Sequence, residues 1–198
     1  MVIGFFAIAL IWGYIFGFLC LTARTSRRTR KQIWLFSEGQ ERQTLPASLF
    51  RAAFVLGGLL PLITLPVGEG LLPGVVAAKL DLGRTVAVFG VLFMALGGGF
   101  ALYAQAYMGS SWRIGAAEGQ VGEMVSDGPF ACSRNPVFVG QIALFAGLAL
   151  VIMTIPQMAL AIIVIVAAFL QVRIEERVLE RDMGASYSNY KRTVRRWL

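Results

Sequence analysis

The stretch from Val137 to Val172 reads VFVGQIALFAGLALVIMTIPQMALAIIVIVAAFLQV and contains no charged residue. A membrane-crossing helix needs about 20 mostly apolar residues, so this run is too long for one span and short for two. Proline removes a backbone donor and disfavours helical geometry in the residue before it, so we expect a break at Ile155-Pro156. The run therefore predicts a helical hairpin in a membrane, with Pro156 at its bend.

Three further apolar runs precede the hairpin, namely Val2 to Ala23, Ala52 to Val67 and Val86 to Tyr107. The chain is 57% hydrophobic and 15% charged, with a mean hydropathy of +0.70. Soluble domains usually carry about 25% charged residues, so this chain has too little polar surface to cover a water-facing globule. The sequence predicts an all-α, polytopic membrane helix bundle of about five spans.

The basic residues predict the orientation of these spans. All of the 18 Lys and Arg residues except Lys79 and Arg84 lie in residues 24–51, 104–136 and 171–198. Basic loops stay in the cytosol, so the N-terminus is expected outside and the C-terminus inside. The glycine- and proline-containing stretch from Pro66 to Asp81 is expected to connect two spans on the outer side. The net charge of +7 is then explained by anionic lipid contacts, and no nucleic-acid partner is predicted.

The chain contains no histidine and only two cysteines, which limits its chemistry. A zinc site needs about four closely spaced ligands, so no metal site is predicted. Any general base at neutral pH must be a carboxylate, a tyrosine or the substrate itself.

One candidate site lies where a glycine-punctuated loop ends in Arg134-Asn135-Pro136, before the hairpin. Proline suits the first turn of a helix, because its missing N–H needs no partner there. The free N–H groups of that turn and the guanidinium of Arg134 predict an electropositive pocket at the membrane surface. The alternative is an ordinary helix start whose arginine binds lipid head groups.

The second candidate follows the hairpin, where Glu175 and Glu176 come directly after the apolar run and the helix is expected to end near Gly184. Residues three or four apart share a helix face. One mostly apolar stripe is therefore expected, formed by Val172, Glu175, Glu176, Leu179 and Met183. Carboxylates close to membrane depth are costly and indicate function. In the structural alternative, Glu176 pairs with Arg173, or Glu180 simply solvates the outer face of the helix.

Together these two segments resemble a known family. The stretch from Gly128 to Gly140, GPFACSRNPVFVG, is similar to the pattern G-x-[YF]-x-x-x-R-[HN]-P-x-[YF]-x-G. Glu175-Glu176, then Leu179 and the run from Gly184 to Tyr190, GASYSNY, follow at a suitable distance. These are the signature blocks of the isoprenylcysteine carboxyl methyltransferases and phospholipid methyltransferases. The resemblance covers about residues 108–196. Eukaryotic prenylcysteine enzymes usually carry histidine at the position of Asn135. An asparagine at this position resembles the bacterial-type members of the family.

The resemblance implies that S-adenosylmethionine is the cofactor and that Arg134 and Glu176 are catalytic residues. It also implies a set of cofactor-binding residues, namely Gly128, Pro129, Phe130, Arg134, Asn135, Pro136, Phe138, Gly140, Glu175, Glu176 and Tyr187. Phe130, Phe138 and Tyr187 are expected to surround the adenine and the sulfonium, and Arg134 the cofactor carboxylate or an anionic acceptor. Which of the two adjacent glutamates faces the cofactor is left open.

On this interpretation the chain divides into two regions. Residues 1–107 form three spans with a basic cytosolic loop, and residues 108–198 form the catalytic region, with the hairpin 137–172 and a cytosolic tail. The acceptor is expected to be lipophilic and to enter from the bilayer, as a prenylcysteine-like carboxylate, a thiol or a phospholipid head group. The expected location is a bacterial inner membrane, with a cytosolic active site. A membrane NADPH-dependent reductase of the sterol or enone type, or a non-catalytic packing protein, are the alternatives.

Overall fold

A computed structural model gives the fold of most of the chain. It describes residues 2–30, 33–35, 43–64, 80, 82–117, 119 and 122–198. The helices are α1 (Val2–Thr29), α2 (Thr44–Thr64), α3 (Gly83–Met108), α4 (Pro129–Cys132), α5 (Pro136–Ile152), α6 (Ile155–Met183) and α7 (Ala185–Thr193). Within these described ranges there is no β-strand, and Trp34 and Ile114 form a single isolated bridge.

The helices confirm the predicted all-α membrane bundle. Helices α1, α2, α3 and α6 are each long and apolar enough to cross a membrane, and α5 is a shorter apolar helix. Their outward faces are apolar, and Phe16 and Leu96, for example, are 71% and 73% exposed. Lipid tails are the solvent in which such faces are stable. The chain is an integral membrane protein.

The hairpin breaks slightly earlier than predicted. Met153 adopts a left-handed conformation with φ of 52°, and Thr154 is extended, so α5 ends before the Ile155-Pro156 step. Pro156 lies in the first turn of α6, where its missing N–H leaves no bond unmade. The bend therefore precedes the proline instead of containing it. At this end of the bundle the Leu80 N–H donates to the Met153 carbonyl at 3.0 Å. Apart from Leu80, the predicted outer connection lies outside the described residues.

Helices α3 and α5 are antiparallel and meet along four glycines. A Cβ atom added to Gly97 would lie 2.7 Å from the Gly140 carbonyl oxygen, and one added to Gly140 would lie 2.4 Å from that of Gly97. Gly90 and Gly147 form the equivalent pair two turns away, at 2.8 and 2.4 Å. Small residues let helix backbones approach closely in membranes. This seam fixes α5, and with it the Arg134 segment, against α3.

The three basic segments meet at one end of the bundle. The Leu35 N–H donates to the Ile114 carbonyl and the Ile114 N–H to the Ile33 carbonyl, both at 2.8 Å. Gln43 contacts Ala116 in the second segment and Gln171 at the start of the third. These contacts agree with an odd number of spans and bring the motif loop and the tail together.

Candidate active site

A cavity of about 260 Å³ opens at this end of the bundle, between α1, α2, α5, α6 and the loop after α3. Its wall is mostly apolar, and its aromatic residues are Tyr14, Phe18, Trp34, Phe50, Phe54, Trp112, Phe130 and Phe138. Its polar lining residues are Arg51, Arg113, Arg134, Asn135, Gln141, Gln171 and Glu175. An aromatic cavity with a few convergent polar groups is typical of a small-molecule site.

Six of the residues named from the sequence line this cavity. They are Phe130, Arg134, Asn135, Pro136, Phe138 and Glu175. Pro136 begins α5, as expected from its place after Arg134 and Asn135. The first turn of α5 and the short α4 before it therefore bring the motif to the cavity wall. Phe138 also packs on Phe50 of α2, with ring centroids 5.6 Å apart.

The other five named residues lie outside the cavity lining. Gly128 has φ of 55°, and a Cβ atom there would lie 2.5 Å from the Tyr107 ring, so glycine is required for backbone reasons. Pro129 begins α4, and Gly140 belongs to the α3–α5 seam. Glu176 and Tyr187 are buried on the side of α6 that faces the C-terminal tail.

The predicted single stripe on α6 is therefore divided. Glu175 and Leu179 line the cavity, whereas Glu176 contacts the tail. Successive residues of an α-helix are about 100° apart around its axis, so adjacent side chains diverge into different surroundings. Between the two glutamates, the structure brings Glu175 to the cavity.

Glu176 is held by two arginines. Its Oε1 accepts hydrogen bonds from Arg134 Nη2 at 2.7 Å and Nε at 3.2 Å, and from Arg196 Nε at 3.1 Å. Its Oε2 accepts one from Arg196 Nη2 at 2.6 Å. The side chains of Arg134 and Glu176 are only 8% and 7% exposed. Arg173, which the structural alternative named as the partner of Glu176, is exposed on the outside of α6. Glu176 therefore pairs with arginines from other segments and not with one on its own helix.

The tail occupies the remaining donors of the motif. Arg134 Nη1 donates to the Val194 carbonyl at 2.6 Å and to the Lys191 carbonyl at 3.3 Å. Asn135 Nδ2 donates to the Arg196 carbonyl at 3.0 Å. All three guanidinium nitrogens of Arg134 are thus engaged within the protein. Arg134 therefore lines the cavity while it is bound to Glu176 and to the tail.

Two tail tyrosines support the same cluster. The Tyr190 hydroxyl donates to the Phe130 carbonyl at 2.6 Å, and burial raises the pKa of Tyr190 to about 12. Burial also raises the pKa of Tyr187, and the Glu176 carboxylate adds to this shift. Hydrogen bonding to Glu176 raises the pKa of Arg196. Both tyrosines therefore stay neutral and Arg196 stays charged at physiological pH.

Glu175 has a different environment at the cavity. Its Oε1 accepts a hydrogen bond from Gln171 Nε2 at 3.0 Å, and Gln171 Nε2 also donates to Gln43 Oε1 at 3.0 Å. Gln43 Oε1 accepts a second bond from the Ala116 N–H at 2.8 Å. Among the described residues, no cation lies within ion-pair distance of Glu175. Burial lowers the pKa of the nearby Arg113, which the Glu175 carboxylate partly opposes.

Sequence reasoning missed several residues of the site. Tyr14, Phe18, Phe50 and Phe54 belong to α1 and α2, where they are indistinguishable from other apolar residues of a span. Gln141 and Gln171 do carry a readable signal, since they are two of the three glutamines in a charge-free run. Arg196 is one of seven basic residues in its segment, and nothing local indicates its contact with Glu176.

Comparison with known proteins identifies the family. The family model described as phospholipid methyltransferase matches residues 85–186. The chain belongs to the phospholipid methyltransferase family. The match begins inside α3, so the shared region extends further towards the N-terminus than the resemblance read from residue 108. Helices α1 and α2, which supply half of the aromatic cavity wall, lie outside it. No curated protein matches the chain. Membership in this family and the apolar helices identify a membrane methyltransferase.

Proposed function

We propose that the protein transfers a methyl group from S-adenosylmethionine to a lipophilic acceptor that reaches the cavity from the bilayer. One observation carries this proposal: Phe130, Arg134, Asn135, Pro136, Phe138 and Glu175, named from two separate segments, line one cavity at the end of the spans. The cavity volume of about 260 Å³ is close to the lower limit of about 300 Å³ for small-molecule sites.

The lining residues suit the chemistry of S-adenosylmethionine. The Glu175 carboxylate has free acceptor capacity for an amino group or ribose hydroxyls. Phe130 and Phe138 offer aromatic faces, which attract a sulfonium cation. Arg51 and Arg113 are the cavity arginines available for a carboxylate, since Arg134 is engaged by Glu176 and the tail. When bound, the cofactor supplies an electrophilic methyl group.

The walls suit an acceptor with an apolar part. Leu19 on α1 and Trp34 line the cavity and are each 48% exposed, so the lining continues onto the outer surface of the bundle. A membrane concentrates and orients an amphiphile at such an opening, and orientation supplies much of the acceleration of a transfer reaction. Because the chain has no histidine, an acceptor that is already ionised, such as a carboxylate or thiolate, is favoured over an ammonium group.

The proposal is tested by incubating the purified protein with radiolabelled S-adenosylmethionine and a total membrane lipid extract. We expect label in a lipid product, strongly reduced in Glu175→Gln. Glu180→Gln is the matched control, because Glu180 is an exposed carboxylate on the same helix that pairs with Lys191. Absence of labelled product, with thermal protection by NADPH but not by S-adenosylmethionine, would instead support a reductase.

We further propose that the cavity faces the cytosol of a bacterial inner membrane, which the basic residues around it support. Cys132 is exposed within the motif and reports on the side of the cavity, whereas Cys20 is exposed within α1. In a Cys20→Ser background, an impermeant thiol reagent should label Cys132 in inverted vesicles but not in intact cells. Labelling in intact cells contradicts this orientation.

A further inference from the structure

A polar pair lies within the aromatic wall of the cavity, away from the charged cluster. Gln141 Nε2 donates a hydrogen bond to Tyr14 Oη at 2.9 Å, across the contact between α5 and α1. Both residues line the cavity, and they are only 6% and 3% exposed. Gln141 is five residues beyond Pro136, which places it about 7.5 Å further along α5 at the helical rise. The pair therefore lies deeper in the bundle than the motif.

This pair has unused hydrogen-bonding capacity. Gln141 Oε1 is buried and has no partner among the described residues. Tyr14 Oη accepts the bond from Gln141, so its own proton remains available for donation. If the amide is rotated by half a turn, the free groups become an amide donor and a hydroxyl acceptor. In either orientation the pair offers one donor and one acceptor.

A buried polar group without a partner is costly, so its place on a cavity wall calls for a ligand. The neighbours of the pair are aromatic: Tyr14 lies 5.8 Å from the ring of Phe54 and 6.0 Å from that of Phe18. An anionic ligand group would lose its hydration among these rings without an opposite charge to compensate, and an ammonium group could donate to the pair but not accept from it. A neutral group that both donates and accepts, such as a hydroxyl, fits the site.

We propose that Tyr14 and Gln141 form a subsite for the hydroxyl group of an alcohol or phenol carried by the lipophilic acceptor. This inference rests on the proposed function, because it assumes that the acceptor occupies this cavity. It adds a requirement on the acceptor: besides the group that is methylated, the molecule carries a neutral hydroxyl deeper in the membrane. Tyr14 lies outside residues 85–186 and Gln141 lies within them, so this selectivity depends on a residue beyond the family match as well as on the matched region.

The test measures binding without the cofactor, using dodecanol, dodecyl methyl ether and dodecane as probes. Apparent affinity is taken from the rise of the thermal unfolding midpoint with the mole fraction of probe in detergent micelles. The alcohol donates and accepts, the ether only accepts, and the alkane does neither. At about fivefold for each hydrogen bond, the expected order is alcohol, then ether, then alkane.

The double variant Tyr14→Phe/Gln141→Met should bind all three probes equally, with the affinity for dodecane unchanged. Unchanged dodecane binding shows that the cavity is intact, so a loss of selectivity is not a folding defect. Gln157→Met is the matched control, since Gln157 is a fully buried amide of α6 outside the cavity. This control should retain the wild-type order of affinities.

The proposal is overturned if the wild-type protein binds dodecanol and dodecane equally, or if the double variant keeps the wild-type preference. Its failure is separable from that of the proposed function. Equal binding of the probes together with methylation of the lipid extract rejects the subsite alone. A preference for dodecanol that depends on Tyr14 and Gln141, without any methyl transfer, supports the subsite and rejects the methyltransferase proposal.

Discussion

Glu175 and Glu176 are adjacent in the sequence and lie in two contrasting regions of the molecule. On the tail side of α6, Glu176 is bound by Arg134 and Arg196, and nearly every donor around it is satisfied. On the cavity side, Glu175 accepts one hydrogen bond from Gln171 and faces open space. The first environment is complete within the protein, whereas the second has capacity left for a ligand.

This contrast shows that the hydrogen-bonding capacity of a charged motif residue can be filled by the protein itself. The tail cluster orders the segment 133–136 through side chains and backbone carbonyls, and that segment in turn forms part of the cavity wall. The cavity side supplies the acceptor atoms that the proposed cofactor needs. One region should therefore control stability, and the other should control binding.

The largest expected effect is that of Glu176→Gln on stability. The substitution leaves Arg134, which is 8% exposed, without its opposite charge. Breaking a buried ion pair by removing one partner typically costs about 3 kcal/mol or more. We expect the free energy of unfolding in detergent, measured by denaturant titration, to fall by about 3 kcal/mol.

Glu180→Gln provides the comparison, because it breaks an exposed pair with Lys191 on the same helix. Exposed pairs contribute at most about 1 kcal/mol, so this variant should be nearly as stable as the wild type. Equal losses in the two variants would mean that the Glu176 cluster is not the anchor of the tail.

The second-largest expected effect is that of Glu175→Gln, which should weaken cofactor binding and leave stability nearly unchanged. Glu175→Gln removes a charge that has no ion-pair partner among the described residues, so stability should change little. A charge-assisted hydrogen bond to the cofactor would be weakened, and about 1.4 kcal/mol corresponds to a tenfold loss of affinity. We expect S-adenosylmethionine to bind at least about tenfold more weakly by calorimetric titration.

The sharper measurement compares the affinity for S-adenosylmethionine in the two variants. The folded fraction of the Glu176→Gln variant should bind S-adenosylmethionine more tightly than the Glu175→Gln variant does. The reverse order would show that the cofactor displaces the tail from Glu176 when it binds, and it would remove the distinction between the two regions.

Much of the fold could be predicted because its signals are local. Apolar runs of membrane length identify the spans, and the basic residues at alternate connections group the three segments that the structure brings together. Gly184 ends α6 with φ of 53°, as a glycine after an apolar helix suggests. The predicted bend at Pro156 lies slightly too late in the sequence. Proline can stand in the bend before a helix or in the first turn of that helix, and tertiary packing determines which of the two positions it takes.

The candidate site was less predictable because its contacts join residues far apart in the sequence. Arg196 pairs with Glu176 across the end of α6 and the whole of α7, and Tyr14 meets Gln141 from the other end of the chain. Gly140 lies in the motif, but its close contact is with the Gly97 carbonyl of another span. A motif marks which residues belong together, whereas the direction of each side chain depends on its tertiary neighbours.

The smallest expected effect concerns Gln171, which links the cavity side to the loop after α1. Its Nε2 donates to both Glu175 and Gln43, so Gln171→Met removes the one hydrogen bond that the described structure gives Glu175. A net hydrogen bond contributes about 1 kcal/mol. We expect S-adenosylmethionine to bind about fivefold more weakly, less than the loss in Glu175→Gln.

Gln157→Met separates this positioning role from the general cost of changing a buried amide in α6. Gln157 is fully buried, and neither its nitrogen nor its oxygen has a partner in the part of the chain that the structure describes. Replacing an unsatisfied polar group by an apolar one of similar size is neutral or stabilising. Gln157→Met should therefore keep wild-type affinity and equal or greater stability, while Gln171→Met loses affinity. If both variants lose affinity alike, the effect at Gln171 comes from packing within α6, and Glu175 is not oriented through its amide.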